Sequence, residues 1–381
     1  MASSPAKVVD VHTHMYPPEY VKILESRNTI PLVRSFPGSS DPRLILLSAE
    51  VPSLEEASKE QASQDVVVPG RPLTKHYSSL DQKIHFMDTH NIDISVISLA
   101  NPWLDFLSSD EAGPVATSIN NEFSAMCALH PGRLFFFGTL PLTASLNVIL
   151  SSIAHISQLK YCRGVILGTS GLGSGLDDPA LRPIFSAIAD ANLMVFLHPH
   201  YGLPNSVFGP RQEKGEYGHV LPLALGFPME TTIAVTRMFL AGVFDQVRTL
   251  KMLLAHSGGT LPFLAGRIES CISHDGHLFA SLHGRRTMWE VLREQVYLDA
   301  VVYSDVGIKA AVAASGDEGV DRMMFGTDHP FFPPLGTDED GEWESVGLNA
   351  QAVKKALAEG SLESEKVMGG NAVRVLRLFE E

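Results

Sequence analysis

The sequence predicts an α/β fold: a parallel (β/α)8 TIM barrel with a small insertion after its first strand. Three observations predict it. Eight short apolar runs recur along the 381 residues, as expected of strands covered on both faces. Helical stretches separate them, and eight strand-plus-helix units favour a closed barrel over an open sheet. Histidines and a carboxylate stand at the C-terminal ends of four runs, the end at which such barrels build their sites.

In order, the strands are KVVDVHTH (7–14), ISVISLAN (94–101), LFFFGTLP (134–141), RGVILGTS (163–170), LMVFLHPH (193–200), LKMLLAHS (250–257), VYLDAVVY (296–303) and RMMFGTDH (322–329). Helices are predicted over 77–90, 115–130, 143–158, 180–191, 231–247, 262–274 and 304–315. The glycines of GTSGLGSG (168–175) follow a strand, but without the full dinucleotide spacing or its acidic partner they read as a βα loop. Residues 27–75 are rich in Pro and Ser around the short run LILLS (44–48), so a subdomain or flap is expected there, inserted into a single domain spanning 1–381. Residues 201–230 form a second long connection. Loops of that length are usually functional or make an interface. The segment DEDGEWES (338–345) reads as solvated loop.

Composition narrows the function. With 45% apolar and 19% charged residues the chain can bury a large core. A net charge of −14 argues against a nucleic-acid partner and offers no polybasic membrane anchor. Three well-separated cysteines, Cys127, Cys162 and Cys271, fit a reducing compartment rather than a disulfide framework. With no signal-peptide core at the N-terminus and no apolar run of membrane-spanning length, a cytoplasmic protein is expected.

The chemistry gathers at strand ends. His12 and His14 are two residues apart, so a strand turns both toward one side, where they can bind one ion. His198 and His200 repeat that spacing at the end of strand five. His198 directly follows VFL at the barrel rim and is the expected ligand, whereas His200 is already in the loop. Asp328 ends strand eight. A carboxylate there is costly to bury without a cation, although a turn or helix-cap aspartate is the plainer alternative. His329 alternates to the opposite face. His256 ends strand six before a pair of glycines, either as a site residue or as a neutral core histidine. Three imidazoles and one carboxylate suit Zn2+, and also admit Mn2+, Fe2+ or Co2+. No phosphate-binding signature points to an organic cofactor.

Together, the H-x-H after strand one, LHPH, AHSGGTLPFLAGRIE and FGTDHPFFPP resemble the amidohydrolase superfamily. They look most like its branch of non-oxidative decarboxylases, typified by 2-amino-3-carboxymuconate-6-semialdehyde decarboxylase and γ-resorcylate decarboxylase. Within that branch, VDVHTHMYPPEY, TIPLVRSFP, SVISLANPW, LKYCRG and YGHVLPLALGFPMETT are similar to the fungal uracil-5-carboxylate (isoorotate) decarboxylases. The resemblance implies metal ligation by His12, His14, His198 and Asp328, and a polar catalytic role for His256. It also implies that Arg71 and Arg267 grip the substrate carboxylate, Arg267 from a neighbouring subunit. Many hydrolytic members bridge two metals with a modified lysine at the end of strand four. Gly168-Thr169-Ser170 stands there instead, which favours one metal.

The implied reaction converts uracil-5-carboxylate to uracil and CO2, with Asp328 or His256 delivering a proton to C5. Asn101, at the end of strand two, can hydrogen-bond a pyrimidine edge, or simply make a turn before Pro102. Phe331 can stack on the ring, or only pack its loop. The apolar connection PLALGFPMETT (222–232) suggests a homodimer or dimer of dimers, in which Phe227 reaches a neighbour's site. The alternatives are decarboxylation of a related aromatic or muconate-semialdehyde acid, hydrolysis of an amide or lactone by the same metal, and a catalytically silent binding protein on this fold.

Overall fold

The computed structural model describes residues 7–37, 39–46, 50–51, 54–55, 68–282, 284–336 and 340–380. Eight parallel strands form one sheet: β1 (Val9–Met15), β2 (Ile94–Leu99), β3 (Leu134–Thr139), β4 (Cys162–Gly168), β5 (Met194–His198), β6 (Lys251–Leu254), β7 (Val296–Asp299) and β8 (Met323–Met324). Each pairs with its sequence neighbour. The first and last strands then meet. Val11 N donates to Phe325 O at 3.0 Å, His14 N donates to His329 O at 2.7 Å, and Thr13 bridges His329 in parallel register. The result is a (β/α)8 barrel. Barrel interior and helical jacket cover the strands from both sides, so β1, β2, β3 and β5 are buried at every residue.

The main helices are α1 (Leu80–Thr89), α2 (Ser109–Leu129), α3 (Leu146–Ile156), α4 (Arg182–Asp190), α5 (Phe227–Leu240), α6 (Leu261–His274), α7 (Asp305–Ala314) and α8 (Glu344–Leu357). Helix α2 starts six residues before the expected 115, where the Glu111 carboxylate accepts hydrogen bonds from Ser108 N and Oγ. The expected helix 231–247 begins earlier, at Phe227, and breaks at Gly242, whose φ of 74° is left-handed.

From the second onward, the expected strands overrun the observed ones at their C-terminal ends, whereas β1 runs one residue further, to Met15. β6 stops at Leu254 because His256 and Ser257 turn left-handed, and β8 stops at Met324, with Asp328 left-handed further on at φ 62°. Non-glycine residues hold such angles only where surrounding contacts compel them, commonly at functional sites. The solvated-loop expectation for 338–345 holds at the exposed Asp340 and Glu342 and fails at Trp343. Residues 338 and 339 lie outside the described residues, but Trp343 is buried at the start of α8 against Phe86 and His329.

Within 27–75, Leu32–Arg34, Arg43–Ile45 and Arg71–Pro72 make a small antiparallel sheet around Leu32, Phe36 and Ile45. This sheet delivers Arg71 to the barrel mouth. The 201–230 connection is tied down by Glu230, whose carboxylate accepts from Thr169 Oγ1, His200 N and Gly202 N. Among the described residues, no helix is long and apolar enough to cross a membrane.

Candidate metal centre

Strand period brings His12 and His14 to the same side of β1. β5 adds His198 and the turn after β8 adds Asp328, so that one ligand atom from each lies within 4.8 Å of the others. Asp328 Oδ1 is 3.1 Å from His12 Nε2 and 3.7 Å from His14 Nε2. All four residues are buried.

The other ring nitrogens are already used. His12 Nδ1 lies 2.5 Å from Asp299 Oδ2, His14 Nδ1 lies 3.0 Å from Ser98 Oγ, and His198 Nδ1 lies 2.8 Å from Pro199 O. Each arrangement puts a ring hydrogen on Nδ1 and turns Nε2 toward the cluster, where it becomes a ligand atom once it carries no proton. His12, His14 and His198 Nε2, with Asp328 Oδ1, have no hydrogen-bond partner among the described residues. Buried polar atoms are rarely left so, and four converging lone pairs fit one divalent cation.

Electrostatics agree. Burial drives His14 down to about 4, and burial with the neighbouring histidines drives His198 well below its usual value. Burial opposes ionisation of Asp328, but the His12 charge and the close approach of the His14 and His256 rings outweigh it and hold Asp328 well below the usual carboxylate range. The cluster thus offers two neutral imidazoles and a carboxylate, as metal ligation requires. His12 differs. Burial disfavours its charge, yet Asp328 and Asp299 raise it to about 10, so His12 must release a proton to a cation.

His256 faces the other oxygen of Asp328, with Nε2 3.5 Å from Oδ2, and is partly exposed. Asp328 therefore spans the cluster, with one oxygen toward the imidazoles of β1 and the other toward His256. Phe331 sets its ring edge-on to His14 at 5.6 Å, and the Arg71 guanidinium lies over Phe331 at 4.8 Å. Arg71 also donates to Tyr16 Oη at 2.7 Å, while its buried Nε has no partner among the described residues. Phe227 lies 6.5 Å from His256 of its own chain, with its ring packed close to Gly202. Asn101 is turned elsewhere, its Nδ2 donating to His200 O at 2.5 Å. Arg267 is exposed on α6. His200 stays outside the quartet, with Nε2 2.8 Å from Asp105 Oδ2.

A sequence model of the amidohydrolase family matches residues 9–378. The chain belongs to the amidohydrolase family. A crystal structure of Metarhizium anisopliae IDCase in apo form is 70% identical, with a TM-score of 0.94, and the match covers 100% of this chain and 99% of that one. The 2-amino-3-carboxymuconate-6-semialdehyde decarboxylase of Dictyostelium discoideum is 28% identical over 78% of this chain and 76% of its own length. A γ-resorcylate decarboxylase of a Rhizobium species is 25% identical over 78% of this chain and 87% of its own. This amidohydrolase is an enzyme of the decarboxylase class.

Several residues that serve the site of this amidohydrolase escape a reading of its sequence. Asp299 is the main one. Besides holding His12, its carboxylate accepts from His256 N, Ser257 N and Val301 N, and so shapes the left-handed turn that presents His256. Its signal was present, a carboxylate directly after the apolar VYL of β7. Ser98 and Tyr16 carry no comparable pattern.

Proposed function

We propose that this amidohydrolase removes CO2 from uracil-5-carboxylate (isoorotate) to leave uracil, using one zinc ion held by His12, His14, His198 and Asp328. The observation that carries the reading is the 70% identity to IDCase across the whole chain, joined to a buried quartet whose lone pairs converge.

When bound, the cation supplies Lewis acidity toward the substrate carboxylate and its neighbouring ring oxygen. The remaining work belongs to the protein. His256 Nε2 and Asp328 Oδ2 form the open side of the cluster, and a proton passed along them reaches C5 of the ring. C5 becomes tetrahedral, the bond to the carboxylate breaks, and its electron pair returns to the ring as CO2 leaves. Arg71, held by Tyr16 and Phe331, supplies a fixed positive charge for an anionic substrate. Phe331 and Phe227 offer apolar faces for a planar ring.

Assembly completes the reading as a homodimer or dimer of dimers, in which Arg267 serves a neighbouring site. The free cysteines Cys127, Cys162 and Cys271 are in keeping with a reducing cytoplasm. A related aromatic or muconate-semialdehyde acid is the second reading, favoured by the Dictyostelium and Rhizobium relatives. The test is to mix zinc-loaded protein with uracil-5-carboxylate, γ-resorcylate or aminocarboxymuconate semialdehyde and measure CO2 and the decarboxylated product. Uracil should form fastest. Faster turnover of another acid transfers the assignment to it, and hydrolysis of amides or lactones without CO2 release refutes decarboxylation.

A further inference from the structure

Behind the quartet, on the face of the β1–β8 seam turned away from the ligand atoms, sits a fully buried lysine. Lys83 comes from α1, outside the barrel, and none of its surface reaches solvent. A buried ammonium is costly unless its N–H groups find acceptors. Lys83 Nζ donates to Thr13 Oγ1 at 2.6 Å and to His329 Nδ1. Asp10, equally buried on β1, supplies the opposite charge.

Both acceptors lie next to ligands. Thr13 sits between His12 and His14, and His329 directly follows Asp328. Strand alternation on β1 turns His12 and His14 inward and Thr13 outward, and His329 meets Lys83 on that same outer side. Thr13 Oγ1 also donates to His329 O at 3.1 Å, so lysine, threonine and histidine form a closed triangle across the seam. The His329 ring is held in one orientation. It stacks on Phe86 at 3.7 Å and contacts Trp343 at 4.7 Å. With Nδ1 accepting from Lys83, its Nε2–H donates to His76 Nδ1 at 3.0 Å.

The seam needs such support because its backbone ladder is thin. β8 is two residues long. Beyond it, the strands are joined by a few loop bonds and by Asp10, which accepts from Thr327 N and Oγ1. The ligands on β1 and Asp328 therefore belong to two segments joined by a short run of backbone bonds, among them Asp328 N to His12 O at 2.8 Å and His14 N to His329 O at 2.7 Å, and the side chains behind the seam reinforce that run.

We propose that Lys83 is a positioning residue for the metal centre, fixing from behind the separation between His12 and His14 on one strand and Asp328 on the other. The proposal rests on reading the quartet as a metal site. The test compares wild-type protein with Lys83→Met, which keeps length and apolar stem but loses the donors, and with Thr13→Val, which removes the bridging hydroxyl. Lys309→Met, which breaks a surface pair with Asp305, is the control. For each, affinity for zinc is measured by competition with a chromophoric chelator, and the cobalt-loaded protein gives a visible spectrum that reports ligand geometry. Loss of outer support usually weakens metal affinity about 10–100-fold. That loss, with an altered cobalt spectrum, is expected for Lys83→Met and Thr13→Val but not for the control. Wild-type affinity and spectrum in folded Lys83→Met overturn the proposal, even if its melting temperature falls. If Lys83→Met does not fold, Thr13→Val decides by the same criteria. A wild-type chain that binds neither zinc nor cobalt removes the metal reading itself, and the proposal with it.

Discussion

At the scale of single residues, Asp328 is asked to do two things with two oxygens. Oδ1 faces His12 and His14, and Oδ2 faces His256. An amide in its place keeps the shape, but loses the charge that favours a cation and the capacity to carry a proton. With zinc in excess to hold the site occupied, Asp328→Asn should lower the single-turnover rate of decarboxylation by about 10²–10⁴-fold, the usual worth of a positioned proton donor. A near-normal rate would move the proton to His256 alone. The candidate quartet is legible in the sequence because a strand period of two marks His12 and His14 at once. Carboxylates are harder to read. Asp299 and Asp328 share one cue, an acidic residue after an apolar run, and only the fold separates the one facing the lone pairs from the one behind His12. Asn101 shows the converse. Its place at a strand end suggested a substrate contact or a turn before Pro102, and its Nδ2 donates to the backbone carbonyl of His200 in the loop after β5.

At the scale of elements, strands are legible through their middles, where two-sided burial demands apolar runs, and illegible at their C-terminal ends. There the site takes over, and left-handed His256, Ser257 and Asp328 leave the ladder. The early start of α2 had a readable cue, Ser108 with Glu111 three residues on, but Gly113-Pro114 reads as a break and hides it. The turn after β8 is closely packed. A Cβ added at Gly326 would lie 2.7 Å from His12 Cβ and 3.0 Å from Val301 Cγ2, atoms fixed close to the backbone with little room to give. Gly326→Ala should therefore cost about 1–3 kcal/mol of stability, the usual range for overpacking. Because the clash bears on a ligand, it should weaken zinc binding as well. Denaturant titration of the metal-free protein and chelator competition check the two effects separately. Unchanged values in both would mean that the seam has more slack than these distances allow.

At the scale of the whole molecule, a barrel announces itself by repetition, since eight strand-plus-helix units leave few other folds open. Assembly leaves no such mark, because an interface is written in exposed residues that no period connects. The structure supplies what the sequence withholds. Phe263 on α6 is 84% exposed, and Val207 and Val220 in the 201–230 connection are 60% and 68% exposed. A phenylalanine so exposed at a helical position is costly to leave in water. Arg267 lies four residues further along α6, on the same face as Phe263. A second copy that buried Phe263 would thus draw Arg267 into the contact, which is the arrangement in which that arginine serves a neighbouring site. Sedimentation of wild-type protein should give a dimer or larger species at assay concentrations. Phe263→Glu places a charge at the centre of the proposed contact and should shift the equilibrium toward monomer. If Arg267 acts across the contact, that variant should also show a raised KM for the acid substrate, rising further as the protein is diluted. A wild-type monomer with full activity would refute the assembly. A dimeric Phe263→Glu variant with an unchanged KM would place the interface elsewhere and leave Arg267 outside the chemistry.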